Sequence, residues 1–527
     1  MKMKRLVGIV LALALIVTCM AGCGKKNRVG TLPETKMPAG EVTYPLQVPE
    51  EENQVLTVWC PMPPSITTDV TTLGDTDFAK NLEAKTGIKV EWQHPSGGSA
   101  TEQLQLMLAS GDLPDIIITG WLGMGPEEYI ENMQIYALND LMAAGYTPNL
   151  KKYIESNPEI DKMIKTDKGQ YYGFPFIRGD NKLLGSTGFM LRGDWLKEFG
   201  LDVPETIEDW DAVLAAFKTK CETPLAMIPF EQFGSGFDAY KGEYLNNGKV
   251  VYGPIEQNFK ALVTKLNEWY NKGYIDKNYA IADTAAINSA IINGKAGITF
   301  GSGGGTMGSY ITAKKGTDFE IVGAPFPSTA KDVPAKFGTK ELPYGIASAV
   351  ITTSCKNPYL AARFLDYGYG EEGHMTYNFG KEGESYTVID GYPTYVDAIT
   401  NNSEGKTMAR MLAHNCLAGH YGPFVQDVRY IEQYYGTQQQ VDALARWTEC
   451  EMEKYKVPQV IMTTDEADEY SAIMGQVNTY VDEMYNAFII GKTPISEFDN
   501  YVAKVKELGI DRAMEIRQAA YERYLNR

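Results

Sequence analysis

Two tryptophans and one cysteine are the residues of this chain whose types and positions point most directly to chemistry. Trp59 closes the apolar run that begins at Val55, and Trp121 follows Asp115-Ile116-Ile117-Ile118-Thr119-Gly120. An indole at the end of a buried strand offers a flat apolar face. The C–H side of a pyranose ring can lie on it, leaving the hydroxyl rim for amides, carboxylates or guanidinium groups. Covering one such face contributes on the order of 2 kcal/mol, so two or three faces support micromolar binding. The same positions have a packing reading: Trp121 sits under the next helix, or Trp59 is the last core residue of its strand. Cys23 belongs to another chemistry. Met20-Ala21-Gly22-Cys23 puts two small residues before a thiol. Small side chains let an extended chain enter a peptidase groove, and the thiol is the group that accepts a diacylglyceryl unit.

The elements that must hold these residues follow from pattern. Val55 to Cys60 reads as a strand, Asp75 to Thr86 as a helix stopped by Gly87, and Ile88 to Gln93 as a second strand. Thr101 to Ser110 is a helix with Leu104, Met107 and Leu108 on one face, and Asp115 to Thr119 is a buried strand between Pro114 and Gly120. Strands alternating with amphipathic helices imply a parallel, doubly wound sheet. In such sheets ligands bind beyond the carboxyl ends of the strands, which selects Trp59, His94, Trp121 and the glycine run 301–305, including Gly303 and Gly304. Further on, Thr206 and Asp209 form a capping box ahead of the stripe Trp210, Val213, Leu214 and Phe217. Ile255 to Lys272 reads as a helix, Ala296 to Phe300 as a strand, Asn357-Pro358 as a helix start, and the chain after Thr464 as three helices.

The amino terminus carries Lys2, Lys4 and Arg5, then the apolar run Leu6 to Val17, too short to span a bilayer comfortably. With Cys23 this resembles a bacterial lipobox, Met20 standing where Leu is usual. The expectation is a signal peptide over 1–22 and a lipid-anchored, flexible tether over 23–54, rich in Lys, Pro, Glu and Gly. Two acyl chains anchor stably, at roughly 0.8 kcal/mol per buried methylene. The formal charge of −18 becomes −21 once Lys2, Lys4 and Arg5 are removed. Such a surface disfavours nucleic acid and anionic headgroups as partners. Cys60, Cys221, Cys355, Cys416 and Cys450 are odd in number and widely spaced, without a CxxC pair, against both a disulfide framework and a zinc site.

Six further segments, in order, carry a family resemblance: Ala109 to Ile117, Gln170 to Pro175, Leu191 to Thr206, Asn293 to Gly297, Phe364 to Tyr386, and Ile489 to Tyr501. Within them stand Ser110-Gly111-Asp112-Leu113-Pro114-Asp115, Arg192-Gly193-Asp194-Trp195 and Asn378-Phe379-Gly380-Lys381-Glu382-Gly383. Lys381 replaces a more usual aliphatic residue, and Phe498 a usual Trp. The chain resembles the family 1 extracellular solute-binding proteins of bacterial ABC importers, in the large lipoprotein branch linked to oligosaccharide uptake. The resemblance implies an α/β, two-lobed periplasmic-binding-protein type II fold, each lobe a mostly parallel sheet flanked by helices, with the ligand cleft between them. It implies a first lobe of 55–178 plus 280–325 and a second of 186–275 plus 330–527. It further implies a monomer with no catalysis and no cofactor, and a carbohydrate and a permease as partners, on the outer face of the membrane. Closure favoured only by a ligand touching both lobes would make binding a signal.

By the same resemblance Phe230, Gln232, Phe233 and Phe237 fall where second-lobe sugar contacts occur, with Tyr344, Tyr377 and Tyr421 as further candidates. Arg178, near the first crossing, suits either an acidic sugar or a hinge salt bridge. Trp195, Trp210 and Trp269 lie on amphipathic helices and read as core. The run Gly301 to Gly305 lacks a Gly-Lys-Ser/Thr ending and is no nucleotide loop. His94, His374, His414 and His420 show no metal-binding spacing, and no carboxylate completes a set around 414 and 420. The rival readings are a glycoside hydrolase, which needs two facing carboxylates that no local context marks, and a same-fold receptor for a peptide or for signalling.

Overall fold

The computed structural model describes residues 32–527 apart from 97–98, 121–124, 228 and 345–346. The expected signal segment, Cys23 and Trp121 therefore lie outside the described residues.

The first sheet is ordered Val90–Gln93, Leu56–Trp59, Ile116–Thr119, Ser348–Ile351 and Phe174–Pro175. Its first three strands are parallel and the last two pairings antiparallel. Leu56, Val58, Ile116 and Ile117 are fully buried, which explains their nearly unbroken apolar runs. Asp115 Oδ2 accepts from the Thr57 amide at 2.8 Å and from its hydroxyl at 2.9 Å, fixing the register of the central pair. Helix Asp77–Thr86 is capped by Thr76 and Gly87, and Ala100–Ser110 by Ser99 and Gly111, both glycines left-handed, as the spacing predicted.

The second sheet has Thr187–Arg192 at its centre, paired antiparallel with Ile298–Ser302 and with Ile321–Ala324. Trp447, from helix Gln438–Thr448, packs against it and donates to the Phe189 carbonyl at 3.2 Å. A Cβ on Gly188 would fall 2.3 Å from that indole, so glycine is what permits the approach. The capping box of Thr206 and Asp209 forms, and Trp210, Val213, Leu214 and Phe217 are buried beneath it. Three helices, Thr464–Ile489, Phe498–Glu507 and Ile510–Leu525, complete this lobe.

Two large cores correspond to the two lobes, one running from Met37 to Ile177 and then Tyr344 to Phe424, the other from Phe189 to Phe337 and then Ala443 to Ala513. This corrects the expected partition. Residues 280–325 supply two strands and a core wall to the second lobe, and Tyr344 to Tyr377 pack in the first. The physical reason is that Ile298–Ser302 and Ser348–Ile351 are short apolar strands. Each finds its sheet through long-range pairing that burial patterning does not encode. Of the two larger sheets, only the first contains parallel pairings; the second is antiparallel throughout. Chain crossings lie near 178–187, 338–344 and 425–443, where Ile177–Arg178 pairs in parallel with Val425–Gln426.

A second correction concerns the amino-terminal tether. From residue 32 the chain is a docked strap: Met37 and Leu46 are buried in the first core. The Gly40 amide donates to the Gly145 carbonyl and the Leu46 amide to that of Thr86, both at 2.9 Å. Tyr146, Tyr359 and Arg363 hold the Met37, Pro33 and Pro38 carbonyls, and the Tyr44 hydroxyl returns a bond to the Arg363 carbonyl at 2.8 Å. Its polar, proline-rich composition reads as flexible because most of what holds it, Thr86, Gly145, Tyr146, Tyr359 and Arg363, lies 40 to more than 300 residues away in sequence.

Candidate ligand-binding site

At the foot of the crossings lies a cavity of about 370 Å³. Arg178, Leu184, Ser186 and Thr187 come from the first crossing, and Gly338, Thr339 and Glu341 from the second; Gln232, Tyr240, Met452 and Lys456 close it from the second lobe. Gln232 sits on the 3-10 turn Phe230–Phe237, which buries Phe230 and Phe233 and leaves the amide between them facing the opening. Tyr240 is stacked on Phe337 at 5.0 Å. The Thr339 hydroxyl donates to the Thr187 carbonyl at 2.7 Å, which ties the two crossings together. Lys456 is paired with Glu341 across the mouth.

The other polar groups of this wall are free. Among the described residues, no hydrogen bond or ion pair engages the side chains of Arg178, Gln232, Ser186, Thr187 or the Tyr240 hydroxyl. Burial pulls Arg178 below its ordinary value, partly offset by Glu341 and the Tyr430 hydroxyl. Burial likewise raises Tyr240, with Glu341 adding to the effect. A neighbouring cavity of about 450 Å³ shares Tyr240, Met452 and Lys456 and continues past Tyr252, Tyr470 and Arg517. The two make an elongated, aromatic-edged groove. A larger hollow of about 860 Å³, between Leu201, Asp209, Phe326 and Arg446, lies on the second lobe and includes no residue of the crossing at Arg178 to Thr187.

Of the residues selected from sequence, Arg178 and Gln232 meet in the crossing cavity. Trp59, 3% exposed, is a core residue of the first lobe. His94 is a backbone clip: one ring nitrogen lies 2.8 Å from the Cys60 carbonyl and the other accepts from the Leu73 amide at 3.0 Å. Phe230 packs on Tyr279, and Phe233 on Phe189, Trp210 and Trp269. Gly303 is covered by Tyr435 and Trp447, and Gly304 by Tyr434. Tyr344 is buried, its hydroxyl bonded to Tyr172 and, at 2.7 Å, to Ser348. Tyr377 stacks on Phe424, and Tyr421 packs half-buried on the first core. These rings face protein because a strand-end position buries a side chain whenever the next segment folds back over it. The expected hinge salt bridge of Arg178 does not form among the described residues. Around His414, Asp69 supplies a carboxylate at 2.9 Å that sequence spacing did not reveal, shared with Arg410. Ser186, Thr187, Tyr240, Thr339 and Lys456 carried no sequence signal, since crossing segments have no periodicity to read.

This two-lobed fold with a cavity at its crossings is that of a binding protein. The family described as bacterial extracellular solute-binding protein matches residues 71–375, more than half the chain, and the protein belongs to that family. It is 26% identical over 568 aligned positions to the fructooligosaccharide ABC transporter substrate-binding protein FusA of Streptococcus pneumoniae serotype 4, covering 99% of each chain. It is 24% identical to lipoprotein LipO of Bacillus subtilis strain 168, over 84% of this chain and 88% of that one. The crystal structure of FusA with kestose has the same fold, at TM-score 0.69 and 21% identity over 90% of this chain and 100% of that chain. The protein is accordingly a solute-binding protein and not an enzyme.

Proposed function

We propose that this protein captures a carbohydrate, an oligosaccharide or complex glycan, in the groove at the lobe crossings and hands it to the permease of an ABC importer. A lipid on Cys23 holds it on the outer membrane face. The observation that carries this reading is the set of unpartnered polar side chains around Arg178 and Gln232. These side chains are half-buried, with Ser186 exposed, and they line the groove with donors and acceptors that no described residue engages, which suits a ligand rich in hydroxyls. The Tyr240 ring supplies an apolar face beside them. The two adjoining cavities suit more than one sugar ring. FusA, similar over its whole length and named for fructooligosaccharide, supports the sugar class, and LipO supports the lipoprotein anchor.

The test is calorimetric titration of the mature protein with neutral and acidic trisaccharides, monosaccharides and tripeptides. Binding of an oligosaccharide that is recovered chemically unchanged supports the proposal. Binding confined to peptides, or silence across every sugar, sinks it.

A further inference from the structure

Arg178 is a half-buried cation without an anion. Its cavity holds one carboxylate among the lining residues, Glu341, and Lys456 takes it. The lining therefore keeps one uncancelled positive charge, on a chain whose formal charge is −18. Arg192, Arg429, Arg517 and Arg523 are each matched by a carboxylate, of Asp194, Asp427, Glu243 and Glu466. Arg363 and Arg446 donate to the Pro38 and Gly323 carbonyls, whereas the Arg178 guanidinium has neither kind of partner among the described residues. A desolvated charge left unpaired opposes folding, and such groups are retained where a ligand completes the pair.

We propose that the solute is an anionic sugar, an oligosaccharide carrying a uronic-acid carboxylate that Arg178 clasps through two parallel N–H donors. The inference rests on the sugar-capture reading and narrows its substrate class. A guanidinium presents a planar fork that matches a carboxylate and that a lysine cannot reproduce. Gln232, Ser186 and Thr187 stand around it to meet ring hydroxyls, and Tyr240 offers the flat face. A neutral sugar entering the same space strips water from Arg178 and returns no charge, so the cavity discriminates against it. This separates the chain from FusA, whose named ligand, a fructooligosaccharide, has no carboxylate.

Isothermal titration of the mature protein would use tri-galacturonate and tri-guluronate, with maltotriose, kestose and sodium sulfate as comparisons, at low and raised salt. The expected result is binding of one or both uronates at least about tenfold tighter than either neutral trisaccharide, weakening as salt rises. Arg178→Met should lose that advantage, and Arg178→Lys should recover only part of it. Melting of the empty protein provides an independent readout: Arg178→Met should leave the midpoint unchanged or raise it. A clear drop would reveal a structural partner and overturn the proposal. Equal affinity for neutral and acidic trisaccharides, untouched by Arg178→Met, would overturn the acidic assignment while leaving sugar capture standing. Sulfate binding as tightly as the uronates would reduce the site to a free-anion site, and failure of every trisaccharide would overturn both readings.

Discussion

Gln232 and Phe233 are adjacent in sequence and opposite in role. Phe233 is fully buried, with ring centroids of Phe189, Trp210 and Trp269 at 4.6, 5.0 and 4.8 Å. Phe233→Ala opens a cavity among rings that cannot collapse into it, and should cost about 3–5 kcal/mol in chemical denaturation. Gln232→Ala removes an amide with no partner among the described residues. It should leave the denaturation midpoint of the empty protein nearly unchanged and weaken sugar binding by about tenfold, the value of one or two hydrogen bonds to a desolvated ligand. If the two substitutions behave alike, the assignment of the cavity wall is wrong. Sequence placed both residues in one candidate loop. Only the turn geometry separates the ring that faces the core from the amide that faces the opening.

At the scale of elements, the docked strap is the feature with the largest consequence. It contributes Met37 and Leu46 to the first core, and its Pro38 carbonyl accepts from Nη2 of the wholly buried Arg363, whose Nε and Nη1 have no partner among the described residues. Truncating residues 32–53 uncovers that core edge and leaves the guanidinium unpaired. Stability of the first lobe should fall by about 2–4 kcal/mol. Hydrogen exchange would then rise in the helices Pro358–Asp366 and Asp77–Thr86 and spare the second lobe. Uniform protection after truncation would mean that the strap is ornamental. Helix boundaries, caps and buried stripes were legible from spacing because they are local. The partner sheets of Ile298–Ser302 and Ser348–Ile351 were not, since a short apolar strand satisfies either sheet equally well.

At the scale of the molecule, the strap shortens the reach of the proposed anchor. Eight residues lie between Cys23 and Leu32, a span of at most about 30 Å when fully extended. The proposed anchor would hold the first lobe close to the membrane and the crossing cavity within range of a permease. Cys23→Ser should release the protein into the medium and abolish the mass added by lipid on the amino-terminal peptide, with sugar affinity unchanged. Retention on the cell, or an unmodified peptide from the parent protein, would refute the anchor.

The sequence by itself determined the alternation of strands and amphipathic helices, the caps, the core tryptophans Trp195, Trp210 and Trp269, and the resemblance from which a two-lobed receptor follows. These depend on neighbours within a turn or a strand, or on motifs read in order. The tertiary structure decided which lobe each short strand joins, that the strap docks, and that Trp59, Phe230, Phe233 and Tyr377 face protein while Arg178 and Gln232 share a cavity with Tyr240 and Lys456. Those outcomes depend on segments tens to hundreds of residues apart, and burial patterning carries no information about which distant surface a side chain will meet.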